Sequence, residues 1–191
     1  MYHFFAMLSR MKYINRWGLM RNTRAENICE HSLDVGLIAH ALALIGNKKF
    51  GKNYDAERAA VLGMLHDASE IITGDMPTPV KYHSKEIRSA YAEVEDRAVD
   101  HLVSMLPEEF RPDYEEIMKL NGEKDAALRP LVKAADKIAA AVKCVEEKKS
   151  GNREFVQAEQ TILQNIRDLH LPEADYYVKE FLPSYGLTIE E

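Results

Sequence analysis

Cysteine, glycine, proline and tryptophan are all scarce in this chain. Of 191 residues only 2 are cysteine, Cys29 and Cys144. They are too few for a disulfide framework and lack metal-ligand spacing, so both read as small apolar fillers on helices in a reducing, cytoplasmic setting. Glycine (9) and proline (7) fall below average usage. No Gly-rich phosphate loop, dinucleotide fingerprint or Gly-x-Ser-x-Gly elbow occurs, which argues against P-loop and serine-nucleophile chemistry. The longest stretch free of formal charge, residues 35–47, is shorter than the ~18–20 residues of a bilayer span, so no membrane crossing is expected. Basic residues number 25 against 31 acids. A net charge of −6 speaks against binding a nucleic-acid polymer, which needs a basic face.

Acids are missing altogether from residues 1–25, which hold five basic residues. An Arg-containing, acid-free opening resembles an organelle transit peptide, but Ser9 is its only serine, and Phe4, Phe5, Leu8 and Met11 have the spacing of a core-facing helical stripe. A secretory signal is excluded because Arg10 and Lys12 interrupt the apolar run. Residues 1–13 therefore read as part of the folded domain, and the basic segment after them can meet a small anion.

What is abundant is helix-forming: Ala, Glu, Lys, Leu and Arg dominate, and the 3.6-residue period recurs where no period-2 alternation is sustained. The reading is an all-α single domain over residues 1–191, a bundle of about seven or eight helices. A helix near 3–13 precedes an irregular stretch, 14–26. Asn27, with Glu30 three residues on, caps a second helix running to about Gly46. Asp55 caps a third through about Ile72, ended by the two prolines of Thr73-Gly74-Asp75-Met76-Pro77-Thr78-Pro79. Ser84 opens an amphipathic helix with Ile87, Tyr91, Val94, Ala98, Leu102 and Met105 on one stripe. A short helix follows Pro107 and Pro112. Residues 125–149 form a long one with Glu146 to Lys149 as a solvated end, and two more follow, the last starting at Pro172.

Two constellations carry chemistry. His66-Asp67 places an imidazole beside a carboxylate, with Glu70 within a helical turn of both. Taken alone, such a pair is more often a helix-end histidine and a solvated acid. His31 opens another helix, and Asp136 lies at the edge of the buried face of a third, where a carboxylate needs a partner. Its alternative is an intrahelical pair with Lys133 or Lys137. Two imidazoles and two carboxylates from three helices would suit a catalytic divalent metal with an open water position. The second constellation is Arg16-Trp17, a guanidinium beside the only tryptophan, fit for a ligand with a phosphate at one end and a ring or sugar at the other. Lys133, one turn before Asp136, is a further candidate phosphate contact. His40 reads as a core or interface histidine.

The order His31, His66-Asp67, Asp136 on a helical chain resembles the HD-domain metal-dependent phosphohydrolases and, within them, the bacterial 5'-deoxynucleotidases. The likeness rests on Phe4-Phe5-Ala6 through Leu8-Ser9-Arg10, Ile14-Asn15-Arg16-Trp17, Glu26-Asn27 with Glu30-His31-Ser32-Leu33, His66-Asp67-Ala68-Ser69-Glu70, residues 73–82, and Lys143-Cys144 with Glu146-Glu147. It implies an HD-type fold in which His31, His66, Asp67 and Asp136 bind one divalent transition metal, whether Co, Mn, Zn, Fe or Ni, and Glu70 is the acid/base residue. It further implies that Arg16 and Trp17 contact the nucleotide, Trp17 packing where a ribose 2'-hydroxyl would sit, while Asp75, Met76, Pro77 and Thr78 hold the sugar. The implied reaction is hydrolysis of deoxyribonucleoside 5'-monophosphates in a homodimer. A triphosphate- or cyclic-nucleotide-cleaving HD enzyme and a catalytically silent nucleotide-binding module are the alternatives. No further histidine follows His66 in its helix, which favours one metal.

Overall fold

The computed structural model describes residues 1–188 and 190. Its helices are α1 (Phe4–Leu8), α2 (Ile28–Lys49), α3 (Ala56–Leu65), α4 (Glu70–Thr73), α5 (Thr78–Lys81), α6 (Lys85–Ser104), α7 (Arg111–Lys119), α8 (Arg129–Lys149), α9 (Val156–Arg167) and α10 (Pro172–Glu180). A 3₁₀ turn, Ser9–Tyr13, prolongs α1. Among the described residues no strand forms; Asn15 and Asn27 make an isolated antiparallel bridge.

The caps are those the sequence predicts. Asn27 Oδ1 accepts from the Glu30 N–H at 3.0 Å while Glu30 reaches back to Asn27, a full capping box. Asp55 caps α3 through the Arg58 N–H at 2.8 Å, and Ser84 caps α6 through Ile87 at 3.2 Å.

Several boundaries differ, each for a visible reason. Gly46 does not end α2. It lies inside the helix where a Cβ would come within 2.5 Å of the Tyr54 ring, and the chain turns only at Gly51, φ +64°. The third helix stops at Leu65, and α4 is separated from it by a tightened turn. The helix expected from Asp125 starts at Arg129, because Asp125 is drawn into a two-pronged bond with Arg58 at 2.9 and 2.6 Å. The helical segment ends at Thr73, before the two prolines as expected, and Pro79 then sits in the first turn of the new short helix α5.

α2 packs on α3 and α8, and these with α9 and α10 enclose the main core, centred on Leu42, Leu62, Leu131 and Ile138. A second cluster joins α1, α6 and α7 through Phe4, Leu102, Leu106 and Met118. α2 is long and apolar enough to cross a membrane, yet 56% of its most apolar window is buried in this core. Where α2 crosses α3 the backbones touch: a Cβ on Gly63 would stand 2.9 Å from Gly36 Cα and from the Val35 carbonyl oxygen. This glycine contact fixes the approach of the helix that carries His31 to the one that immediately precedes His66. Not every apolar stripe residue faces inward. Phe5 is exposed, as are Ile87 and Val94 in the first half of α6, and Cys29, expected as filler, is exposed while Cys144 is buried.

Candidate metal centre

Three elements converge on one point. His31 lies in the first turn of α2, His66 and Asp67 follow α3, and Asp136 sits midway along α8. His31 Nε2 is 3.2 Å from Asp136 Oδ1 and 3.6 Å from Asp67 Oδ2. His66 Nε2 is 3.0 Å from Asp67 Oδ2 and 4.0 Å from Asp136 Oδ1. Consecutive residues of a regular helix diverge by ~100°. Here bonds from Ala68 N to Leu65 O and from Glu70 N to Asp67 O tighten the turn, and Asp67 lies beside His66.

The donors fit a metal. His66 Nδ1 lies 2.8 Å from the Gly63 carbonyl, which can only accept, so Nδ1 carries a hydrogen and Nε2 is the atom turned to the carboxylates. Both Nε2 atoms, of His31 and His66, are buried and face carboxylate oxygens at 3.2 and 3.0 Å, with no other hydrogen-bond partner among the described residues. Buried imidazole nitrogens converging on two carboxylates are a donor set that a cation satisfies. The electrostatics agree: burial works against a charged imidazole, yet Asp67 and Asp136 push His66 up to about 9. Burial equally opposes ionisation of Asp136, and the facing histidines hold it well below the usual carboxylate range. The pocket favours positive charge. Glu70, at the start of α4, is buried with Oε2 unpartnered; desolvation, then Asp67 and Asp75, push it up to about 9.

Beside the four donors opens a cleft of about 590 Å³. Arg16, Trp17, Asp75, Met76, Pro77, Thr78 and Asp136 line it. Residues 14–16 reach it by pairing with the segment that leads into α2, Arg16 N–H to Glu26 O and Ile28 N–H to Ile14 O, each 2.9 Å. Trp17 takes φ +61° and packs on Phe155, ring centroids 5.3 Å apart. On the opposite rim Gly74, φ +73°, reverses the chain after α4, and the Tyr91 hydroxyl donates to its carbonyl at 3.1 Å. This holds Asp75 where the Trp17 main-chain N–H and the Arg16 guanidinium face its carboxylate.

A model of the family "5'-deoxynucleotidase YfbR-like" matches residues 3–185. The chain belongs to this family. Curated relatives named 5'-deoxynucleotidase from Yersinia pestis (strain Pestoides F) and Yersinia pseudotuberculosis serotype O:3 (strain YPIII) are each 48% identical over 193 residues, spanning 100% of this chain and 96% of theirs. Among solved structures, an HD-domain phosphohydrolase from Listeria innocua is 25% identical with a TM-score of 0.81, covering 96% of this chain and 88% of that one. The cyanophage S-2L HD phosphohydrolase, described as bound to dA and one catalytic Zn2+ ion, matches the fold at 18% identity and TM-score 0.69, over 94% and 96% of the two chains. The all-α HD-type architecture expected from the sequence is thus the fold of this family member.

Two expectations shift within the site. Lys133 is exposed and does not line the cleft; Lys137 does. The lining strip on α8 runs through Asp136, Lys137 and Ala140, so it continues C-terminally from the carboxylate. Likewise the end of α8 is not wholly solvated. Glu147 is buried, and accepts from the Thr23 N–H at 2.9 Å, the Thr23 hydroxyl at 2.7 Å, Asn152 at 2.8 Å and the buried Lys143 ammonium. This junction ties the 18–25 loop to the helix that carries Asp136. Other residues the sequence does not single out are Tyr82 and the α9 side chains Gln157, Thr161 and Asn165, which form the outer wall.

Proposed function

We propose that this family member hydrolyses deoxyribonucleoside 5'-monophosphates to deoxynucleosides and phosphate, excluding ribonucleotides, with one divalent transition ion held by His31, His66, Asp67 and Asp136. The observation that carries the reading is the meeting of two buried imidazole Nε2 atoms with two carboxylates beside a cleft lined by Arg16 and Trp17. When bound, the ion polarises a phosphate oxygen and acidifies a water. Glu70, buried at the start of α4 with Oε2 turned into the site, would orient the attacking water, take its proton and pass that proton to the departing 5'-oxygen. Arg16, its charge maintained despite burial by Glu26, Asp136, Asp67 and Asp75, neutralises the growing charge on phosphate.

Trp17 closes the sugar side as an apolar wall, and Asp75 to Thr78 supply a carboxylate and a hydroxyl to the sugar. The outer wall of Gln157, Thr161 and Asn165 is open to solvent, which suits tolerance of different bases. A homodimer is supported by the exposed apolar row Leu33, Leu37 and Leu44 on α2, 54%, 63% and 41% accessible. The unpaired thiols suit a cytoplasmic home.

The test is phosphate release from deoxy- and ribonucleoside 5'-mono- and triphosphates with the protein stripped of metal and then reloaded. Release from dAMP but not from AMP or dATP, lost on stripping and regained on reloading, is the expected result; no release from any monophosphate overturns the reading.

A further inference from the structure

One carboxylate oxygen joins the two cleft residues that come first in the chain. Glu26 Oε2 accepts from the Arg16 guanidinium (Nη1) at 2.7 Å and from the Trp17 indole Nε1 at 2.7 Å. Glu26 is only 7% exposed, so little solvent competes for that oxygen. Side chains of consecutive residues diverge in both helices and strands, and these two reach one acceptor at Trp17's left-handed backbone, φ +61°. A non-glycine residue held there is strained and persists where its surroundings over-determine it. The indole is held at its edge by Glu26 and over a face by Phe155. The Arg16 Nε is buried and has no hydrogen-bond partner among the described residues.

We propose that Glu26 is the positioning residue that sets the sugar preference of the cleft, an inference that rests on the deoxynucleotidase reading. The indole N–H is the only polar group of the Trp17 side chain, and Glu26 takes it. What Trp17 then offers the sugar is hydrocarbon alone, held in place on two sides. A 2'-hydroxyl brought against it gives up water and finds no acceptor, whereas a 2'-hydrogen loses nothing. Sharing the same oxygen, Arg16 is fixed relative to the wall, so a nucleotide whose phosphate is bound to Arg16 presents its sugar to Trp17 in one register. An apolar wall of this kind discriminates against an added hydroxyl by a factor on the order of 10².

The experiment compares wild type, Glu26→Leu and Glu26→Gln, all metal-loaded, for kcat and KM with dAMP and AMP, together with the emission of Trp17, the sole tryptophan. Glu26→Leu is expected to lower the dAMP:AMP ratio of kcat/KM by about tenfold or more and to shift the Trp17 emission as the ring leaves its position. Glu26→Gln, whose amide oxygen still accepts the indole hydrogen, is expected to keep the ratio within about threefold of wild type. A folded Glu26→Leu protein with an unchanged ratio overturns the proposal, whatever its emission. Should Glu26→Leu not fold, the glutamine variant decides alone: a tenfold loss of the ratio there would mean that charge, not the accepting oxygen, governs the wall. Wild type inactive on both monophosphates would instead sink the functional reading, an outcome visible before any variant is made.

Discussion

Replacing Glu147 by alanine should cut the buried junction that ties the 18–25 loop to α8. The carboxylate's side chain is 1% accessible and that of its partner Lys143 5%. Lys143 also donates to the Arg24 carbonyl at 2.6 Å, so it stays in place and is left as a buried charge without its counter-ion. Breaking such a pair from one side costs about 3–5 kcal/mol. For a domain of this size that corresponds to a fall in Tm of roughly 6–20 °C. The Thr23 and Arg24 main-chain N–H groups lose their acceptor as well. Thermal and urea melts of both proteins between pH 3 and pH 8 are the assay. Burial disfavours the ionised form of Glu147, but Lys143, Asn152 and Thr23 outweigh it and hold the carboxyl below the usual glutamate range. Its contribution is therefore complete above the unfolded-state value, about 4.5, and is lost as pH falls towards the folded-state one. The stability gap between wild type and variant should be widest near neutrality and close in acid. Removing both charges, Glu147→Leu with Lys143→Met, should recover much of the loss. A single variant within about 1 kcal/mol of wild type at pH 7, or a gap that widens in acid, would refute the reasoning.

Glu70→Gln should lower kcat by about 10²–10⁴ while metal content and dAMP binding stay at wild-type levels; turnover near wild type removes Glu70 from proton transfer. Lys137→Ala should raise KM for dAMP by roughly tenfold, about 1.4 kcal/mol, and Lys133→Ala should leave it unchanged, which steady-state kinetics on the pair will check. Gly63→Ala forces a methyl into the backbone contact at the α2–α3 crossing, so it should cost about 1–3 kcal/mol of stability and weaken metal uptake by spreading His31 from His66. Calorimetric melts and metal titration read both effects, and a variant as stable as wild type would show that the crossing has slack.

The long helices were legible because their signals are local: the Asn27–Glu30 capping box, Asp55, Ser84 and Pro172 each act within one turn of where they stand. Residue type marked the four converging donors as candidates, Asp136 by its place at the edge of a buried face, and the resemblance to the HD phosphohydrolases joined them into one set. What stayed hidden depends on distant partners. Asp125 reads as a helix start until Arg58 claims it, and Glu147 reads as one more charge at a lysine-rich end until the 18–25 loop folds over it. Helical spacing favours Lys133, one turn before Asp136, over Lys137, which diverges from it; the packing of α8 against the cleft reverses that choice. The break at residues 66–69 has no proline or glycine to announce it, since His66, Asp67, Ala68 and Ser69 all tolerate helix.

His31, His66-Asp67 and Asp136 are contributed by segments remote in sequence, and they meet only after α8 has docked on α2 and α3. An ion that needs all four donors binds the finished core and has little hold on the unfolded chain. Its affinity is then added to folding, about 2.7 kcal/mol at a hundredfold excess over Kd. The supply of that ion would set how long each molecule stays folded as well as how fast it works.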